Sequence, residues 1–292
     1  MTALAHSPTA ALPANAASAQ GSACATELKD FAAAEALWRD LETAGTGSPY
    51  QRFDWQKAYV EAMAASGAFE PRVVQVRDGL GRVLLLLPLG IERRQALRIG
   101  APIGGKHANY HMPLVAHGAA LPSPAELRAL LREVGRALRL DAFVFANLPL
   151  SWHGIANPLA EGGRPSPSNG YRLSLSPDAE ATLARALSKD ARKKLRQKDK
   201  KLRELGPVAH LVASRAEDVD AILRAFLAQK RERLREMGLP NPFEDAATKA
   251  FPRAAALAGL AEGRPAIELH ALMLGERIVA TRCATRPRSS ST

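Results

Sequence analysis

The chain has 292 residues, 47% of them hydrophobic and 24% charged, and its 40 Lys and Arg outnumber 29 Asp and Glu for a formal net charge of +11. That length and apolar content allow two ordinary cores. Two cysteines, Cys24 and Cys283, exclude a disulfide framework and fit a reducing compartment, and no Cys-x-x-Cys spacing offers a metal site.

The Ala-, Ser- and Pro-rich opening, residues 1–26, has neither a basic start nor an apolar segment and reads as a disordered leader. The longest apolar run, Val83 to Leu89, contains Pro88 and is too short to span a bilayer, so no transmembrane segment and a cytoplasmic location are expected. A first helix is expected from Glu27 to Glu42, burying Leu28, Phe31, Leu37, Trp38 and Leu41. Gly47 and Pro49 break it. Asp54 is an expected N-cap for a second helix from Trp55 to Ala65.

Arg72–Arg77 and Val83–Leu89 flank Asp78-Gly79-Leu80-Gly81 and read as a hairpin. Ile99 to Pro113 reads as a loop rich in Gly, His, Asn and Tyr, suited to the rim of a cleft. His107 and His111 have the spacing of a helical metal pair, but Gly104-Gly105 and Pro113 oppose a helix there, and no metal is expected. Pro124 opens a helix to about Leu140, and Asp141 to Leu148 reads as a buried strand closed by Pro149. Residues 27–150 thus form one mixed α/β unit, and 151–170, rich in Gly, Pro and Ser, a linker.

Tyr171 to Leu175 has strand character, and Asp178 begins a long helical zone with room for a kink near Ser188. Its second part, Ser188 to Gly206, carries nine basic residues against three acidic ones. Ala191, Leu195, Leu202 and Leu205 form a narrow apolar stripe, leaving the remaining circumference cationic. Such a run is either a solvated face or a surface for phosphate, nucleic acid or anionic membrane. Arg192 and Arg196, four apart, project together and are the candidate anion-binding pair. An aromatic content of 5%, with no interleaving of aromatic and basic residues, argues against nucleic acid.

A strand from Val208 to Ala213 follows, then a helix from Ala216 to Met237 and an Asn241-Pro242-Phe243 turn. The next helix is expected to hold Pro252 in its first turn. Ala266–Leu274 and Arg277–Ala284 form a hairpin around Gly275-Glu276, and 286–292 reads as a disordered tail. Alternation puts Glu268 and His270 on one face of the hairpin, where a carboxylate beside an imidazole is either a proton-accepting pair or the polar face of a half-buried strand.

Several of these segments stand in a recognisable order: Ser48-Pro49-Tyr50-Gln51 before Trp55, Leu87-Pro88-Leu89, Asn147-Leu148-Pro149, Ser188 to Gly206 with Arg192, Arg196 and Leu202, Lys230 to Phe243, and Glu268 to Leu272. In this order the chain resembles the GNAT-type acetyltransferases associated with cellulose and exopolysaccharide biosynthesis, the CelD-like family. The resemblance implies an α/β fold of tandem GNAT-like units, the second spanning 171–285. It implies an N- or O-acyltransferase using acetyl-CoA or another acyl-CoA on a small-molecule or glycan acceptor in envelope polymer synthesis. Asn241 and Phe243 fall where the family's substrate loop lies, with Lys230 and Arg233 on the helix before it.

The sequence departs from the family where the Gln/Arg-x-x-Gly-x-Gly/Ala loop for the acyl-CoA pyrophosphate should follow, Gly275 being the last glycine. The expectation is a second unit without its cofactor-binding half, truncated or frameshifted, and impaired as an enzyme. Fem-type aminoacyl transferases share the tandem plan but often carry a long helical hairpin. The alternative is a non-catalytic protein that binds anions, nucleic acid or a membrane surface through 188–206.

Overall fold

The computed structural model describes residues 25–64 and 69–285. The expectations for the leader up to residue 24, for Cys24 and for the tail 286–292 lie outside those residues. The chain is a mixed α/β protein. In order it runs β1 (Ala25–Lys29), α1 (Glu35–Ala44), α2 (Phe53–Ala64), β2 (Phe69–Arg77), β3 (Val83–Arg94), β4 (Leu97–Pro102), β5 (Leu114–Val115), α3 (Pro124–Ala137) and β6 (Ala142–Phe143). A short pair β7 (Ser151–Trp152) and β8 (Ile155–Ala156) follows, then α4 (Ala179–Ala186), α5 (Lys189–Glu204), β9 (Val208–Val212), α6 (Ala216–Glu236), α7 (Ala246–Leu257), β10 (Glu268–Leu274) and β11 (Arg277–Ala284).

Two sheets organise these elements. The first runs β1-β2-β3-β4-β6, with β5 also on β3, and is antiparallel except where β6 meets β4. The second is the antiparallel set β11-β10-β9. α7 lies against α2, where Phe251 meets Trp55 edge-on at 4.9 Å and Tyr59 at 5.3 Å between ring centroids. One buried cluster runs through that contact, from Trp38 and Phe53 to Ile222, Phe251 and Leu269. Arg52, buried, reinforces it by donating to the carbonyls of Pro265 at 3.0 Å and Arg264 at 3.1 Å.

Several expected elements differ, each for a tertiary reason. Residues 25 and 26 begin β1 rather than ending a leader. Glu27 and Leu28 are in that strand, not a helix, because Ala25–Lys29 pairs residue for residue with Val73–Arg77. Asp54 lies inside α2 and pairs with Arg39 at 2.5 Å instead of capping. Ile99 to Pro102 belongs to β4, so the loop is shorter than expected.

Of Asp141–Leu148 only Ala142 and Phe143 form a strand, and the segment is largely exposed. Its end is set by Asn147, in left-handed backbone, which donates to Ala108 O at 3.0 Å and accepts from His111 N at 2.9 Å. The expected 151–170 linker holds the β7–β8 pair. Residues 171–175 are unpaired and exposed rather than a strand.

Pro252 sits in the interior of α7, not its first turn, because Asp245 caps the helix by accepting from Thr248 N at 2.7 Å. The long helical zone is broken at Ser188, whose hydroxyl caps α5 by accepting from Ala191 N at 3.2 Å.

Candidate proton-transfer site

Strand β10 alternates between two environments. Leu269 and Ala271 are buried against Val219, Ile222 and Leu223 of α6 and Ala255 and Ala256 of α7. Glu268 and His270 therefore take the opposite face, where each side chain retains 13% exposure and His270 Nε2 lies 3.4 Å from Glu268 Oε2. Antiparallel pairing sets His270 beside Val212 and Leu272 beside His210 of β9. His210 thus joins the same face on the diagonal, within reach of a long side chain. Its Nε2 lies 3.1 Å from His270 Nδ1, with the rings stacked at 5.2 Å and 6° from parallel.

The chemistry of this chain of groups follows from what each can donate. An ionised carboxylate only accepts, so Glu268 favours the proton on His270 Nε2. His270 Nδ1 is then an acceptor and takes the Nε2–H of His210. That leaves His210 Nδ1, on an exposed side chain, with a free lone pair. The arrangement ends in a base that can take a proton from a group arriving at the open face, with a carboxylate behind it to stabilise the resulting imidazolium. Arg282 of β11 stands opposite His270 in the register and completes the row.

The other candidates fall elsewhere. Lys230 reaches over the Phe226 ring at 5.7 Å, Phe226 meets Phe243 edge-on at 5.3 Å, and Phe243 meets His107 at 6.5 Å. This group lies on the helical side of the second sheet and brings the glycine-rich loop after β4 onto the 241–243 turn. Arg233 is exposed on the next turn of α6, and Asn241 uses its side-chain Oδ1 to accept from Phe243 N at 3.1 Å, which makes the turn. The four residues expected to hold substrate therefore do not converge on Glu268 and His270; the sheet's alternation separates them.

His107 packs against Tyr59 and Phe251, and His111 Nε2 lies 3.3 Å from Gly105 O. Burial pushes both imidazoles below the usual histidine range, against a Gly105 contact that opposes it at His111. Burial, with Glu92 adding to it, pushes the Tyr59 phenol up to about 12. Among the described residues no group of three His, Cys, Asp or Glu is arranged to hold a metal ion. Arg192 is half-buried and Arg196 exposed on α5, and neither makes an ion pair among the described residues.

His210 was the member that sequence reasoning missed. Its strand was legible, and alternation along Val208, His210 and Val212 gave its face; the pairing of β9 with β10 was the missing information.

Residues 189–290 match the family described as an acetyltransferase (GNAT) domain. No curated protein matches the chain. The matched region begins at α5 and includes β9, α6, α7, β10 and β11, hence all three members of the His210–His270–Glu268 chain.

GNAT domains generally bind acyl-CoA, and free amides at a helix start suit its pyrophosphate. Among the described residues, the three helix starts in the matched region are each capped by a side chain. Ser188 caps α5, Asp218 accepts from Ser214 N and Arg215 N at 3.2 Å each at the start of α6, and Asp245 caps α7. Two of the three carry a carboxylate where an anion would sit.

Proposed function

We propose that the chain is a GNAT-type N- or O-acyltransferase in which Glu268, His270 and His210 take the proton from the acceptor amine or hydroxyl. The observation that carries this reading is the 3.1 Å contact between His210 Nε2 and His270 Nδ1, which extends the Glu268–His270 pair to an exposed base. An acceptor hydrogen-bonded to His210 Nδ1 gives up its proton there as it becomes a nucleophile. His270 transmits the charge, and Glu268 holds His270 in the required tautomer. Such positioned proton transfer contributes about 10²–10⁴-fold. The described residues thus supply the acceptor side of the reaction, and no step is assigned to the donor.

The tandem plan, with units at 27–150 and 171–285, is part of the proposal and is supported by two sheets that meet through α2 and α7. The acceptor is proposed as a small molecule or glycan of cellulose, exopolysaccharide or other envelope polymer synthesis, a reading supported by the ordered motifs shared with that family.

The test is acceptor-dependent release of CoA from acetyl-CoA over a panel of amino sugars and neutral glycans. His210→Gln and His270→Gln should each slow it by about 10² or more while the circular dichroism stays unchanged. Release that ignores both substitutions overturns the assignment.

A further inference from the structure

Helix α5 carries more charge than the fold uses. Of its nine cations only Arg203 makes an ion pair among the described residues, with Asp199 at 2.9 Å. At 3.6 residues per turn, Lys189, Arg192, Lys193, Arg196, Lys200 and Arg203 fall within about 100° of the helix circumference, in a strip about 20 Å long. Leu195, one turn from Arg192 and 48% exposed, borders the strip.

The chain just before α5 adds apolar groups. Tyr171 is 87% exposed and Leu175 77%, with Leu173 exposed between them. This stretch is fastened to α4, since Ser176 N donates to Thr182 Oγ1 and Arg185 Nη2 to Ser174 O, each at 2.8 Å.

We propose that segment 171–205 is a membrane-surface element that sets the cationic strip of α5 on an anionic bilayer. Charge complementarity selects the headgroups, since juxtamembrane Lys and Arg clusters are drawn to anionic lipid. The exposed Tyr171, Leu173, Leu175 and Leu195 select a bilayer over a nucleic acid, because a phosphate backbone would leave those side chains in water whereas the acyl boundary removes them from it. Contact is peripheral: among the described residues no helix is long and apolar enough to cross a membrane. The surface uses none of Glu268, His270 and His210, so it stands or falls apart from the proposed catalysis.

The experiment is co-sedimentation of the full chain with vesicles of phosphatidylglycerol mixed with phosphatidylcholine, against vesicles of phosphatidylcholine alone. Binding is expected to the mixed vesicles only, weakening steeply as salt shortens the screening length. Replacing Lys189, Lys193, Arg196 and Lys200 together by Gln should weaken it by about a hundredfold or more. Leu175→Ser with Leu195→Ser should weaken vesicle binding by about tenfold or more and leave binding to a short RNA duplex unchanged. The proposal is overturned by no binding at low salt, by equal binding to neutral vesicles, or by vesicle binding indifferent to the leucines and displaced by RNA. A dimer that the two Ser substitutions dissociate would also overturn it, by showing that a second copy covers this face.

Discussion

His210 Nε2 lies 3.1 Å from His270 Nδ1 with the two rings 6° from parallel, although sixty residues separate them in the chain. Neither ring packs into the core: the alternation that buries Leu269 and Ala271 turns both histidines to the other face of the sheet. With Glu268 behind His270, polarity runs one way, from the carboxylate towards His210 Nδ1.

If Glu268 acts only by orienting His270, Glu268→Gln keeps the shape and loses the tautomer preference. The expected result in steady-state kinetics is a fall in kcat of about tenfold or more with KM unchanged, because the loss is confined to the proton-transfer step.

Stability should depend on pH through His107 and His111. Both have folded-state values pushed down by burial from 6.5. They are neutral in the fold and gain protons more readily when unfolded, so their contribution is complete above about pH 6.5 and is lost as pH falls below it. Each adds a slope of up to about 1.4 kcal/mol per pH unit. The structural carboxylates with lowered values, among them Asp78, Asp218 and Asp245, titrate lower still, so the window from about pH 6.5 to 5 isolates the histidines. Urea unfolding across that window should show falling stability, and His107→Gln should reduce the slope.

Arg52 ties α2 to the strand approach before β10 through the carbonyls of Arg264 and Pro265 and faces Asp54 at 3.8 Å. Arg52→Ala leaves those acceptors and part of the charge balance unmet, at a cost of about 3 kcal/mol. Urea midpoints should fall accordingly, whereas Arg52→Lys should recover only part of the loss, since an ammonium lacks the planar fork.

Phe251 fills the junction between Trp55, Tyr59 and His107. Phe251→Ala should cost about 3–5 kcal/mol. Gly104, with φ of 113° and an added Cβ only 2.9 Å from the Trp55 ring, supports the same junction from the other side. Gly104→Ala should lower the melting temperature without touching the histidine pair.

Local signals made much of the second sheet legible. Gly275-Glu276 marks the β10–β11 turn, Ser188 and Gly206 bracket α5, and period two puts Glu268 and His270 together. What failed depended on distant partners. Ala25–Lys29 has helical composition and becomes a strand because β2 offers it an edge, and Asp141–Leu148 has strand composition but meets β4 at only two residues. His210 could be placed on a face but not beside His270, because the strand order is a property of the folded sheet. The meeting of His107 with Phe243 is likewise set by the packing of α7 on α2.

The most direct measurement is long-range ¹H–¹⁵N NMR of the histidine rings in the wild-type chain and in Glu268→Gln. The account predicts His270 with its proton on Nε2 and a bare Nδ1, His210 likewise with a bare Nδ1, and a mixture of His270 tautomers once Glu268 is replaced. A His270 protonated at Nδ1 in the wild type, or a tautomer that ignores the Glu268 substitution, would contradict it.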